Sequence, residues 1–69
     1  MSLEELEAQV KKLSMRATDA KLALHDLSEE LPIDWQKIPE VAEKTFQVFR
    51  ELDEARKAVK AAKQAAKEA

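Results

Sequence analysis

The chain has 69 residues, no cysteine, no glycine, 38% charged residues and a formal net charge of −2. So short a chain buries too little apolar surface to be comfortably stable alone. Without cysteine it has neither disulfides nor a zinc-type cysteine cluster. Oligomerisation is the stabilising device that remains. The near-neutral net charge argues against a nucleic-acid binder. No apolar run approaches the roughly 18 residues that span a bilayer. The acidic residues at the start of the chain are unlike a signal peptide. We therefore expect one soluble, cytoplasmic domain over residues 1–69.

The first predicted element is a long amphipathic helix over about residues 2–31. Ser2 and Glu5 fit a capping box, in which each side chain satisfies a free backbone N–H of the other residue. Pro32 disfavours helical geometry at Leu31 and ends the helix there. Between these ends the apolar positions step by three and four, which is the pattern of a coiled-coil seam: Leu3, Leu6, Val10, Leu13, Ala17, Ala20, Leu24, Leu27 and Leu31.

A second helix is predicted over about residues 39–68, with Pro39 in its first turn, where the missing N–H costs little. Asp34 is placed to cap a short turn leading into it. The seam pattern repeats at Ile38, Val41, Thr45, Val48, Leu52, Ala55, Val59, Ala62 and Ala66. Two helices of equal length joined by about seven residues pack antiparallel, so we predict an all-α helical hairpin whose apolar seam is richest near the bend.

Each helix also has apolar residues outside the seam, and a lone hairpin would expose them. Ala8, Met15 and Leu22 point nearly opposite the seam on the first helix, whereas Ala42, Phe46 and Phe49 widen the apolar face of the second. We expect two hairpins to bury these residues in a symmetric homodimer, a four-helix bundle with Leu22, Phe46 and Phe49 at the interface. The alternative is that both phenylalanines fold over the hairpin's own loop with Trp35. Both orientations of the dimer satisfy the pattern.

His25 is the only histidine, and it lies near the bend beside Leu22. Glu29 is one helical turn further on and can share a metal ion with it. If a dimer axis runs nearby, two His25 imidazoles with carboxylates and water form a site for a divalent ion such as nickel, zinc or iron. The alternative is an interface histidine that only donates or accepts hydrogen bonds.

The bend region has the other candidates for recognition. Trp35 is either an anchor for a partner or a cap on the end of the core. Asp26, Glu29 and Glu30 form an acidic cluster, but the chain shows no nucleophile, pocket or phosphate-binding loop beside it, so we expect no enzymatic activity. A basic stripe in the tail is typical of a solvated face: Lys57, Lys60, Lys63 and Lys67.

The run ATDAKLALHDLSEELPIDWQKIPEVAEKTFQVFRELDEARK, residues 17–57, resembles the small Rop-like family encoded in nitrogen-fixation gene clusters. Its most specific elements are LHDL, then EELP, then W and IPEVA. The resemblance implies a hairpin that dimerises, a link to nitrogenase biogenesis or maintenance without an established biochemical activity, and a hallmark histidine, His25, as a plausible divalent-metal ligand. The name Rop also suggests RNA binding, but that analogy concerns the fold, and the charge argues against it.

Together these observations favour a non-enzymatic accessory protein that dimerises and docks on a nitrogenase-system protein. Its expected contacts at the bend are Trp35, Ile33 and the acidic cluster. Metal handling through His25 is the alternative function.

Overall fold

The computed structural model describes residues 1–68 and consists of two antiparallel helices joined by a short bend. Helix α1 spans Leu3–Glu30, a single 3₁₀ turn spans Trp35–Lys37, and helix α2 spans Ile38–Glu68. The hairpin measures 55 × 15 × 15 Å. The all-α hairpin predicted from the sequence is therefore confirmed, with α1 starting and ending one residue inside the predicted limits and α2 starting one residue before them. Ala69 lies outside the described residues.

The ends of α1 follow from local chemistry. The Ser2 hydroxyl oxygen accepts a hydrogen bond from the Glu5 backbone N–H at 3.2 Å, which satisfies one of the free donors at the start of the helix. At the other end Leu31 leaves helical geometry with φ −54° and ψ 141°. That extended conformation is the one that a following proline imposes, and Pro32 therefore ends the helix.

The core lies midway along the hairpin and is small. Leu13 and Ala17 of α1 pack with Leu52 and Ala55 of α2, and Val10 and Val48 pack partly against this cluster. Alanine has a small side chain, so Leu13 and Leu52 supply most of the apolar area that this cluster removes from water.

The part of the apolar seam near the bend is only partly covered in the single chain. Leu27 is buried there, but Leu24, Leu31 and Ile38 keep more than a third of their surface exposed. The reason is geometric, since two helices cover each other along one line only and large side chains beside that line protrude. The bend-proximal half thus has more apolar surface than one hairpin can bury.

Thr45 is the polar member of the α2 seam, and its hydroxyl is satisfied locally. It donates to the Val41 carbonyl at 2.8 Å and approaches the Ala20 carbonyl of α1 at 3.5 Å. The second contact places Thr45 and Ala20 at the same level of the hairpin. Within residues 1–68, neither helix is long and apolar enough to cross a membrane.

We expect Leu52→Ala to lower the free energy of unfolding by about 2–4 kcal/mol, because it removes buried methyl groups and leaves a cavity. Ile33→Ala is the matched control, since Ile33 is exposed in the bend and its truncation creates no cavity. Urea denaturation followed by circular dichroism measures both variants. Equal losses in the two would contradict the placement of the core.

Candidate functional site

The bend presents two large apolar side chains to solvent. Ile33 is 66% exposed and Trp35 is 59% exposed. Trp35 opens the 3₁₀ turn, and no residue of this turn is buried. Trp35 therefore does not cap the end of the core, which leaves recognition as the remaining sequence-based interpretation of this residue.

Asp34 holds the bend in a left-handed conformation. Its φ of 59° and ψ of 27° lie in the αL region, which asparagine and aspartate tolerate better than most residues. Its backbone carbonyl accepts from the Lys37 N–H at 2.9 Å and closes the 3₁₀ turn. The predicted side-chain cap is wrong, because the Asp34 carboxylate accepts no capping hydrogen bond and lies instead 3.8 Å from the Lys37 ammonium.

Carboxylates lie on the part of α1 that leads into the apolar tip. Asp26, Glu29 and Glu30 are all exposed on the last turns of α1. No basic residue occupies the last turn of α1, although the negative end of the helix dipole favours cations there. The bend thus combines exposed apolar side chains with nearby exposed carboxylates, a combination suited to a partner surface that is apolar with a basic rim.

His25 and Glu29 form a preformed pair. The His25 Nε2 atom lies 2.9 Å from a Glu29 carboxylate oxygen, and both side chains are more than 60% exposed. The spacing of four residues places them one above the other on α1. Among the described residues no three histidine, cysteine or acidic side chains of one chain are gathered as a metal site. One chain therefore offers two ligands, and further ligands for an ion would come from a second chain or from water.

The apolar residues predicted for the dimer interface are all exposed in the single chain. Leu22 is 53% exposed, Phe46 is 60% exposed, and Phe49 is 42% exposed. The alternative in which both phenylalanines fold over the loop with Trp35 is not the arrangement seen, since all three rings remain open to solvent.

On the far side of the hairpin runs a groove with polar and charged residues on both walls, among them Lys12, Arg16 and Glu51. The tail of α2 is similarly polar. The Lys57 ammonium lies 3.0 Å from the Asp53 carboxylate, whose hydrogen bond and negative charge raise the pKa of Lys57 above its ordinary value. Lys63 approaches Glu7 of α1 at 3.9 Å. Local carboxylates thus engage part of the basic stripe, as expected of a solvated face.

Comparison with known proteins identifies the family. The Rop-like family matches residues 1–64. The chain belongs to the Rop-like family. It is 52% identical to a UPF0437 protein of Azorhizobium caulinodans over 58 residues, and this alignment covers 84% of each chain. It is 54% identical to a UPF0437 protein of Sinorhizobium fredii over 55 residues, and that alignment covers 80% of this chain and 82% of the relative.

Two further comparisons bear on context and fold. A relative from Frankia alni is described as a UPF0437 protein in the nifX-nifW intergenic region. The two sequences are 41% identical over 46 residues, which make up 67% of this chain and 56% of the relative. A structural-genomics target of the Northeast Structural Genomics Consortium, solved by NMR, is 48% identical with a TM-score of 0.85 and covers 93% of this Rop-like chain and 90% of that chain. The recognition of a Rop-like hairpin from residues 17–57 is thereby confirmed.

The left-handed geometry of Asp34 yields a stability prediction. We expect Asp34→Gly to be more stable than Asp34→Ala by about 1 kcal/mol, because glycine has no Cβ to clash in the αL region. Thermal denaturation of the two variants measures the difference in their stability. Both variants lose the Asp34 carboxylate, so the comparison does not include the effect of that loss. An alanine variant as stable as the glycine variant would mean that the bend changes conformation.

Proposed function

We propose that the protein is a non-enzymatic, homodimeric accessory module associated with nitrogen fixation, and that its bend docks on another protein of nitrogenase biogenesis or maintenance. The observation that supports this most is the exposed apolar bend, with Ile33 and Trp35 at its tip and Asp26 and Glu30 beside them. Tryptophan is one of the residues enriched in binding hot spots, so the exposed ring of Trp35 is suited to anchor a partner.

The homodimer part of the proposal is supported by the residues that a single hairpin leaves uncovered. Leu22, Phe46 and Phe49 remain exposed, and the buried core of the described residues is one small cluster with Leu27 buried apart from it. Since a chain of this size has a marginal core, covering these side chains with a second copy adds the apolar burial that the hairpin lacks.

The nitrogen-fixation part is supported by the relative from Frankia alni, whose description places it between nifX and nifW. A gene position is evidence of a shared process and not of a reaction. The surface of the bend, with exposed apolar residues and nearby carboxylates, fits adhesion to a protein better than chemistry on a small molecule.

A capture experiment tests the docking proposal. The wild-type protein and Trp35→Ala serve as baits in an extract of nitrogen-fixing cells, and mass spectrometry identifies the proteins retained. We expect a nitrogenase-system protein on the wild-type bait and a loss of about tenfold or more on Trp35→Ala, the size expected when a hot-spot ring is removed.

Trp35→Phe and Glu51→Lys are the controls for this capture. Trp35→Phe keeps an aromatic ring at the tip and should keep most of the binding, whereas Glu51→Lys changes an exposed charge in the groove on the far side. Equal capture by Trp35→Ala and wild type would overturn the assignment of the bend. A wild-type bait that retains no nitrogenase-system protein would overturn the functional proposal.

Divalent-metal handling is the second candidate function, and the preformed His25–Glu29 pair favours it. Neutral imidazole with carboxylate suits nickel, zinc or iron in the divalent state. Because one chain supplies two ligands, the proposed site takes His25 from both chains of a dimer, with Glu29 assisting.

This candidate predicts one ion per dimer and its loss in His25→Ala. Isothermal titration with nickel and with zinc, followed by metal analysis of the purified dimer, provides the stoichiometry. Asp26→Asn is the control, since it changes a neighbouring carboxylate that lies outside the pair. Two ions per dimer, or binding that survives His25→Ala, would exclude a shared site.

A further inference from the structure

The tail of α2 has a groove in which every charged residue is a cation. Between residues 55 and 67 the sequence has five cations and no carboxylate. Four of these cations line a groove of about 380 Å³ together with a valine and a glutamine: Arg56, Val59, Lys60, Lys63, Gln64 and Lys67. We call this set the basic groove. It lies in the half of α2 that is furthest from the bend.

The hairpin neutralises little of the charge in the basic groove. The Lys63 ammonium lies 3.9 Å from the Glu7 carboxylate, and an exposed ion pair at this distance contributes little. Within residues 1–67, no carboxylate forms an ion pair with the other three groove cations, which are Arg56, Lys60 and Lys67. The fifth cation of the segment, Lys57, pairs with Asp53 at 3.0 Å and does not line the groove. The basic groove therefore has positive charge available for a partner.

Val59 gives the basic groove an apolar component. Its side chain is half-buried, whereas the other residues that line the groove are exposed. A ligand that neutralises the cations can therefore also remove the uncovered part of Val59 from water, provided that the ligand has an apolar group of its own. This favours a ligand of mixed charged and apolar character over a small inorganic anion.

The cations of the basic groove are spread along the helix and do not converge on one point. Arg56 and Lys67 are eleven residues apart, which is about 16 Å at about 1.5 Å per residue. Phosphate groups are commonly held by free backbone N–H groups at the start of a helix, but residues 56–67 lie well inside α2, where the N–H groups bond within the helix. A single phosphate group therefore lacks its usual donors here, whereas carboxylates spread along a polypeptide match the row of cations.

A nucleic acid fits the basic groove less well than an acidic polypeptide. Nucleic acids gain their affinity from many cations that contact successive phosphates. Here the cations without an intramolecular carboxylate partner are confined to one groove, while the chain as a whole has a net charge of −2. A short acidic segment can bind in the groove without approaching the carboxylates elsewhere on the hairpin.

We infer that the basic groove docks an acidic segment of another protein, with carboxylates spread along about 16 Å and an apolar side chain against Val59. The groove and the bend lie in opposite halves of the hairpin and offer opposite charges. The groove is therefore a second docking surface, and it does not depend on the docking proposed for the bend.

Fluorescence anisotropy at low salt tests this docking surface with three labelled peptides of about 12 residues, long enough to span the groove as a helix. The first peptide consists of glutamate and leucine, the second has glutamine in place of glutamate, and the third has serine in place of leucine. We expect the first peptide to bind most tightly, the second about tenfold more weakly and the third about threefold more weakly. A second or third peptide that binds as tightly as the first would overturn the charged or the apolar part of the inference.

Lys60→Gln and Lys57→Gln locate the binding of the first peptide. Both make the same substitution on α2, and glutamine has nearly the helix propensity of lysine, so both variants should fold. Lys60 lines the basic groove, whereas Lys57 lies outside its lining. We expect Lys60→Gln to weaken binding about fivefold and Lys57→Gln to stay within about twofold of wild type. Equal weakening by both variants would mean that the peptide follows the overall charge of the tail, and would overturn the assignment to the groove.

Two other occupants are tested with the same variants. Oligothymidylate that binds more tightly than the first peptide, and that Lys60→Gln releases, would assign the groove to nucleic acid. Self-association of the wild type at low salt that is lost in Lys60→Gln would assign the groove to the acidic bend of a second copy. Either result would overturn the acidic segment of another protein as the occupant. Capture through Trp35 is measured separately, so its failure would remove the proposed function and leave the basic groove in place.

Discussion

The structure depends on one geometric limit, which is that two helices can bury only a single line of side chains between them. In this hairpin that line is narrow, and its buried cluster consists of Leu13, Ala17, Leu52 and Ala55. The two alanines contribute little apolar area to it. The same packing therefore gives the chain a small core and leaves its other apolar side chains exposed to solvent.

This limit explains why the apolar side chains of the bend-proximal half stay uncovered. Leu24 and Leu31 continue the seam in sequence, yet they lie where the two helices no longer enclose them. A larger domain would cover such residues with a third helix. Within residues 1–68 the chain turns back only once, and no third helix of this part covers them.

Much of the fold was available from the sequence because its signals are local. Pro32 ends α1, the Ser2 hydroxyl caps it, and the seven-residue linker spans residues 31–37 as expected. The burial of each seam residue could not be predicted from the sequence. Periodicity shows which side of a helix is apolar, but it does not show how much of that side a neighbouring helix covers. The same applies to Asp34, whose position in the turn was predicted but whose αL backbone replaced the expected side-chain cap.

The candidate site was partly visible in the same way. A spacing of four residues was enough to place His25 beside Glu29, and the geometry agrees with that placement. The exposure of Trp35 could not be read from the sequence, because a tryptophan in a bend can fold inward or outward with equal local cost.

The rod-like shape of the hairpin separates its core from its tip. The molecule is 55 Å long and 15 Å wide, and its bend lies at one extreme. Leu52 in the core and Trp35 at the tip are about 25 Å apart along the rod, at about 1.5 Å per residue. A substitution at the tip therefore leaves the contacts of the core in place, and binding at the bend can change without a change in the stability of the hairpin.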